Sequence, residues 1–168
     1  MPLKILQNHQ SRRKSSKRRS ATKLSHAEEV CAEKAVRLTP IRRFVLEIIL
    51  ASGKPIGAYE ILAQLNKLKN GREAPVTIYR ALEFLMNIGL VHRVASLNSY
   101  IACDHPNHPN HANGAQLLIC RSCGATEEIC DKSVEAAIDK LARRKGYTTI
   151  SPLVEISGTC AECCEPSL

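Results

Sequence analysis

No acidic residue occurs among the first 25 positions of this chain, and no apolar run of the secretory type lies there either. A start of that kind does not fit a cleaved leader, so the chain is expected to be a cytoplasmic protein. Nor does any stretch approach the ~18 uninterrupted apolar residues of a membrane span, because Glu47 breaks the most apolar candidate. With export and membrane insertion set aside, the eight cysteines are expected to stay reduced. Paired cysteines in that setting more often hold metal than form disulfides.

What is present in excess is positive charge, and it has one source. Lys4, Arg12, Arg13, Lys14, Lys17, Arg18, Arg19 and Lys23 crowd the first 25 residues, while the remaining 16 basic and 16 acidic residues cancel, leaving +8. A Ser-rich arm of this composition buries too little apolar surface to fold alone. Residues 1–24 are therefore expected to be disordered until they meet a polyanion, with nucleic-acid phosphate the leading partner and a solvated tail the plain alternative.

Helical periodicity begins after the arm. Ser25 and Glu28 fit a capping box, followed by an apolar set of Ala27, Val30, Cys31 and Ala35, in which Cys31 reads as a small buried hydrophobe. Thr39 caps a second helix with Pro40 in its first turn, and Ile41, Phe44, Val45, Ile48 and Ile49 recur at helical spacing until Ser52-Gly53. A third helix starts near Ala58 with Ile61, Leu62, Leu65 and Leu68 inward, and stops at Asn70-Gly71. Pro75 opens a fourth, whose stripe of Ile78, Ala81, Leu82 and Leu85 leaves Thr77, Tyr79, Arg80 and Glu83 facing outward. Arg reads guanine bidentately, while Thr and Tyr reach phosphate or a thymine methyl. After Gly89, β-rich runs at Leu90–Ala95 and Ser99–Ile101 flank a turn at Ser96-Leu97-Asn98. Helices followed by a hairpin give the winged-helix order.

Beyond Cys103 the pattern changes. Asp104–Gly114 has no periodicity and carries His105, His108 and His111. Strands are expected at Gln116–Ile119 and Ala125–Ile129, then a helix marked by Val134, Ala137, Ile138 and Leu141 and ending at Gly146, then a strand over Thr148–Ile156. The fold class is thus α+β: a winged helix over 25–102, a small α/β unit over 103–168, and a hinge near 101–105. The second unit is too small to bury its own faces and needs a metal, a partner copy, or both.

Two donor sets stand out. Cys120-x-x-Cys123 and Cys160-x-x-Cys163 make four thiolates that close a tetrahedral zinc site of structural type. The 36 residues between the pairs mean that such an ion pins the C-terminal segment back onto the first knuckle. Cys164 is a stand-in for Cys163, a thiol-redox pair is the rival reading, and Cys130, without a spaced partner, is expected to be buried. The second set, His92, Cys103, the loop histidines, Glu127 and Glu128, flanks the boundary between the units. One sulfur with imidazoles and a carboxylate suits zinc better than magnesium or calcium.

Leu38-Thr39-Pro40 with Arg42, the run Val76-Thr77-Ile78-Tyr79-Arg80-Ala81-Leu82, Gly89-Leu90-Val91-His92-Arg93 and Cys120-x-x-Cys123-Gly124 together resemble the ferric uptake regulator (Fur) family, and within it the zinc-sensing members. The likeness spans about residues 25–165 and leaves the arm aside. It implies a bacterial, homodimeric DNA-binding repressor with a C-terminal dimerisation domain; an enzyme is not expected, because four thiolates close the cysteine site and leave no position for substrate. It further implies two zinc ions per chain, a structural one on Cys120, Cys123, Cys160 and Cys163 and a regulatory one on His92, Cys103, His111 and Glu128. DNA contacts are implied for Tyr79 and Arg80, with Thr77, Arg42 and Arg37 as companions. The His-rich loop is longer than the family pattern, so His105 or His108 is an alternative to His111. Cys103 at a regulatory position, and the lack of the His-His-x-His run of iron-sensing members, favour zinc over iron or peroxide as the signal. A thiol-redox or zinc-storage protein without DNA function is the reading from another class.

Overall fold

The computed structural model describes residues 21–69, 71–104, 115–148 and 153–164. The expectations for residues 1–20 and for His105, His108 and His111 lie outside them. Residues 21–33 are helical (α1), so the helix is already running where the arm was expected to continue. Ser25 and Glu28 therefore lie inside it rather than at its start. Leu24 supplies the reason: it packs on the core beside Ala27 and Val30, extending the apolar stripe by one turn. Lys23 then points to Asp104, 2.5 Å away. Ala35 is not part of the stripe. It lies past the helix in the left-handed region at φ 51°, where the Val36 N–H reaches the Cys31 carbonyl at 2.9 Å and closes the helix end.

α2 (Pro40–Ser52) begins as read, with Pro40 in the first turn, although the Thr39 side chain makes no capping bond. Gly53 at φ 61° ends it. Leu46 and Leu50 are buried together with Val45, Ile48 and Ile49, so its apolar face is wider than one stripe; α2 packs against both α3 (Ala58–Lys69) and α4 (Pro75–Asn87). In α3, Ile61 and Leu65 are buried but Leu68 is exposed, because no residue of this helix beyond Leu65 lies under the core. All four inward positions expected in α4 are buried.

β1 (Val91–Val94) and β2 (Ser99–Ala102) pair antiparallel from Val91↔Ala102 to Val94↔Ser99. They are joined by a 3-10 turn at Ala95–Leu97 and Asn98 in the left-handed conformation. Ile56 adds a short third edge, exchanging both backbone bonds with Tyr100 at 2.9 and 3.0 Å. The result is a winged helix.

The second sheet has the order β4-β3-β5. β3 (Ala115–Cys120) pairs antiparallel with β4 (Thr126–Ile129) and parallel with β5 (Leu153–Gly158). Parallel pairing needs a crossover, supplied by α5 (Lys132–Arg144), whose Asp131 cap accepts from the Ser133 and Val134 N–H groups. Of the strand expected over Thr148–Ile156, Thr148 is not extended, residues 149–152 lie outside those described, and the described part runs on to Gly158, in register with β3 from Ala115↔Leu153 to Cys120↔Gly158. α5 buries nothing completely, and Leu141 is 57% exposed.

Register decides how the two units meet. Glu128, Leu117 and Glu155 are directly cross-strand neighbours in one row of the sheet, so they project to the same face. Leu117 and Ile119 pack there against Val94 and Ile101 of the wing.

Candidate metal centres and DNA-facing surface

β1 carries His92 and Val94 on one side, two residues apart. While Val94 enters the apolar contact, His92 arrives opposite Glu128. His92 Nε2 lies 3.0 Å from Glu128 Oε1, and Cys103 Sγ, just past the end of β2, is 3.8 Å from the same oxygen. The other carboxylate oxygen accepts the Asp104 N–H at 2.7 Å. All three ligand atoms fall within 4.8 Å of one another, and all three residues are buried. A carboxylate with 6% exposure is costly unless paired; Asp104 and His92 supply partners. One sulfur, one nitrogen and one oxygen at this spacing fit a zinc ion, which takes four such donors at about 2.0–2.3 Å. Glu127, left open as an alternative, is one residue off in β4 and exposed on the other face. The fourth donor expected from the loop, His111 with His105 or His108 in reserve, lies outside the described residues.

The second cluster forms as its spacing implies. Gly124 at φ 73° turns the knuckle, its N–H bonding the Cys120 carbonyl at 2.9 Å. The parallel β3–β5 pairing then delivers Cys160 to Cys120. The Cys160 N–H donates to Cys120 Sγ at 3.3 Å, Cys123 and Cys160 sulfurs are 3.8 Å apart, and Cys163 completes a group within 4.8 Å. The Cys160 N–H leads the hydrogen bonds that draw the Cys120 thiol down to about 6, whereas neighbouring Cys123 and Cys160 push Cys163 up to about 12. One thiolate thus forms readily while Cys123 and Cys163 hold their protons more firmly. A divalent cation, binding thiolates, displaces such protons. Cys164 bonds the Cys160 carbonyl through its N–H but its sulfur is not in the group. Cys130 is exposed, contrary to expectation: it follows β4 directly, at the rim of a three-stranded sheet. Cys31 is buried as read, and burial raises its thiol.

On α4, Tyr79, Arg80 and Glu83 are exposed and Thr77 is half-exposed. Arg37 is exposed too, but Arg42 is engaged within the fold. Its guanidinium lies 3.4 Å from the Phe84 ring centroid and donates to the Arg37 carbonyl at 2.7 Å. Glu155 was not picked out from sequence. Its signal was an acid at an inward position of a strand, which needs a polar partner.

A profile of the ferric uptake regulator family matches residues 33–157. The zinc uptake regulation protein of Escherichia coli K12 is 39% identical over 145 residues, covering 84% of this chain and 81% of that protein. The structure of a zinc uptake regulator complexed with zinc and DNA superposes with a TM-score of 0.80 at 37% identity, covering 86% of this chain and 94% of that one. Two forms of XcZur differ in their likeness: the holo form, 38% identical, gives 0.76 over 83% of this chain and 95% of its own, and the apo form, 39% identical, gives 0.50 over 86% and 97%. Such a family match, with relatives at this identity, leaves one assignment: the chain belongs to the ferric uptake regulator family of transcriptional regulators.

Proposed function

We propose that the protein is a zinc-responsive repressor that binds operator DNA as a homodimer and controls genes for zinc acquisition. The observation that carries this reading is the buried convergence of His92, Cys103 and Glu128 where the wing meets the second sheet. The comparisons support it: relatives that match most of the chain are zinc uptake regulators, one of them solved with zinc and DNA. We assign residues 25–102, preceded by the helical turn from Ala21, to DNA binding, and 103–168 to dimerisation. The half-exposed apolar face of α5 and the exposed Leu153 and Ile156 of edge strand β5 support a second copy as the covering surface.

Zinc, when bound, would supply a redox-inert tie. His92 from the wing, Cys103 from the hinge and Glu128 from the sheet would hold it, and sharing one ion would restrict these three to a single relative setting. With α4 of both copies so set, matching successive major-groove half-sites would no longer carry an orientational cost. Tyr79 and Arg80, with Thr77, contact the bases, Arg37 reaches backbone phosphate, and Arg42 holds the Arg37 loop against α4. Cys120, Cys123, Cys160 and Cys163 would hold the second, structural ion.

The test is metal choice. Protein prepared with limiting mixed metals should carry zinc at both sites, and a duplex selected from random sequence should be bound tightly with zinc and weakly with ferrous iron. Selection of no duplex, or equal binding with iron, contradicts the reading.

A further inference from the structure

The wing is held to the second sheet at more than the metal seam. At the far end of the row that carries Glu128 and Leu117, Glu155 turns into the wing and accepts two backbone N–H groups, Ala95 at 2.5 Å and Ser96 at 3.0 Å. Those N–H groups open the 3-10 turn between β1 and β2, where backbone donors have no partner within the turn. Burial alone raises the Glu155 carboxyl, but bonds from Ser96 and Ala95 outweigh it and hold the group low. The two carboxylates of the row, about 10 Å apart by strand spacing, therefore grip β1 near its two ends, His92 and Ala95. Leu117 fills the space between them against Val94.

A single point of attachment leaves a rigid unit free to pivot, while two points separated along a strand leave only rotation about the line between them, which the packing of Leu117 against Val94 opposes. We propose that Glu155 is a positioning residue for metal sensing: by clamping the Ala95–Ser96 turn it sets the wing so that His92 and Cys103 stand ready opposite Glu128. The clamp touches neither the ion nor DNA in this account. It acts by raising the population of the closed arrangement, so its loss weakens the metal at the seam and the operator together. The inference rests on the zinc-repressor reading.

The experiment compares the full-length chain with Glu155→Ala and Glu155→Gln. Gln keeps the volume and one acceptor but turns an NH2 group toward the donors. Three readouts are taken: affinity for the seam zinc by chelator competition without DNA, affinity for a selected duplex at saturating zinc, and retention of the four-cysteine zinc. Seam-zinc affinity is expected to fall about tenfold in Glu155→Ala and less in Glu155→Gln, duplex affinity to fall in the same order, and the four-cysteine zinc to remain, an effect within the ~5- to 150-fold range of ordinary allosteric coupling. Unchanged affinity for the seam zinc in both variants overturns the proposal. So does loss of both ions together in both variants, which would assign Glu155 to maintaining the fold alone. A wild-type chain that binds its duplex equally well without the seam zinc removes the underlying reading, and the clamp's role with it. That result is seen before any variant is compared.

Discussion

Replacing Cys103 by serine tests the seam with the smallest change in shape. Cys103 is buried, and its sulfur is one of three donors within 4.8 Å. A serine hydroxyl stays protonated at neutral pH, whereas a thiol has an ordinary pKa near ~8.5 and ionises readily beside a cation. The substitution thus removes one zinc ligand while removing almost no volume. Its cost to folding, on the order of 1 kcal/mol, is small against a typical stability of about 5–15 kcal/mol. Its cost to regulation is the whole coupling between zinc and operator, typically ~1–3 kcal/mol, or about 5- to 150-fold. At a protein concentration giving half occupancy of the operator in the wild type, occupancy should fall to between about 17% and about 1%. Fluorescence anisotropy on labelled duplex gives the occupancy, and metal analysis of the same sample should find one zinc per chain in place of two. A Cys103→Ser chain that keeps its full zinc response would refute the reasoning.

Other perturbations separate the remaining parts. Arg80→Ala, at an exposed position of α4, should weaken operator binding by ~1–3 kcal/mol, the value of a bidentate base contact, without changing zinc content; equal affinity for operator would remove Arg80 from recognition. Cys160→Ser should release the C-terminal segment from the knuckle and unfold the second unit, because a structural zinc contributes about 10–16 kcal/mol. A two-dimensional NMR spectrum with β3–β5 signals still dispersed would contradict this. Leu117→Ala empties the contact with Val94 and should cost about 2–5 kcal/mol in urea melts. Removing residues 1–20 should weaken specific and random DNA alike and flatten the salt dependence by ~0.9 per lost phosphate contact; an unchanged slope would take the arm off the DNA.

The elements that were legible in sequence were those whose signal is local. α4 could be read to within two residues because Pro75 opens it, Gly89 follows its cap and four apolar positions recur at one period. The four-cysteine set was equally plain, since two pairs at x-x spacing need only a turn each. What sequence did not carry was register. Nothing local says that Leu117 stands between Glu128 and Glu155, so Glu155 went unnoticed and Glu127 could not be separated from Glu128. Position at a rim is also invisible locally, which is why Cys130 was expected inside and Leu68 under the core. Helix over residues 21–24 was not legible because the basic stretch was weighed as a whole, while Leu24 packs that turn onto the core.

The central claim is a coupling between the ion at the seam and the duplex, and coupling is reciprocal. Zinc affinity of the seam site should therefore be measured with and without saturating operator, in chains whose four-cysteine site is already filled. The account predicts that operator tightens the seam zinc by the same factor, between about 5 and 150, by which zinc tightens operator. Identical zinc affinity in the two samples would contradict it.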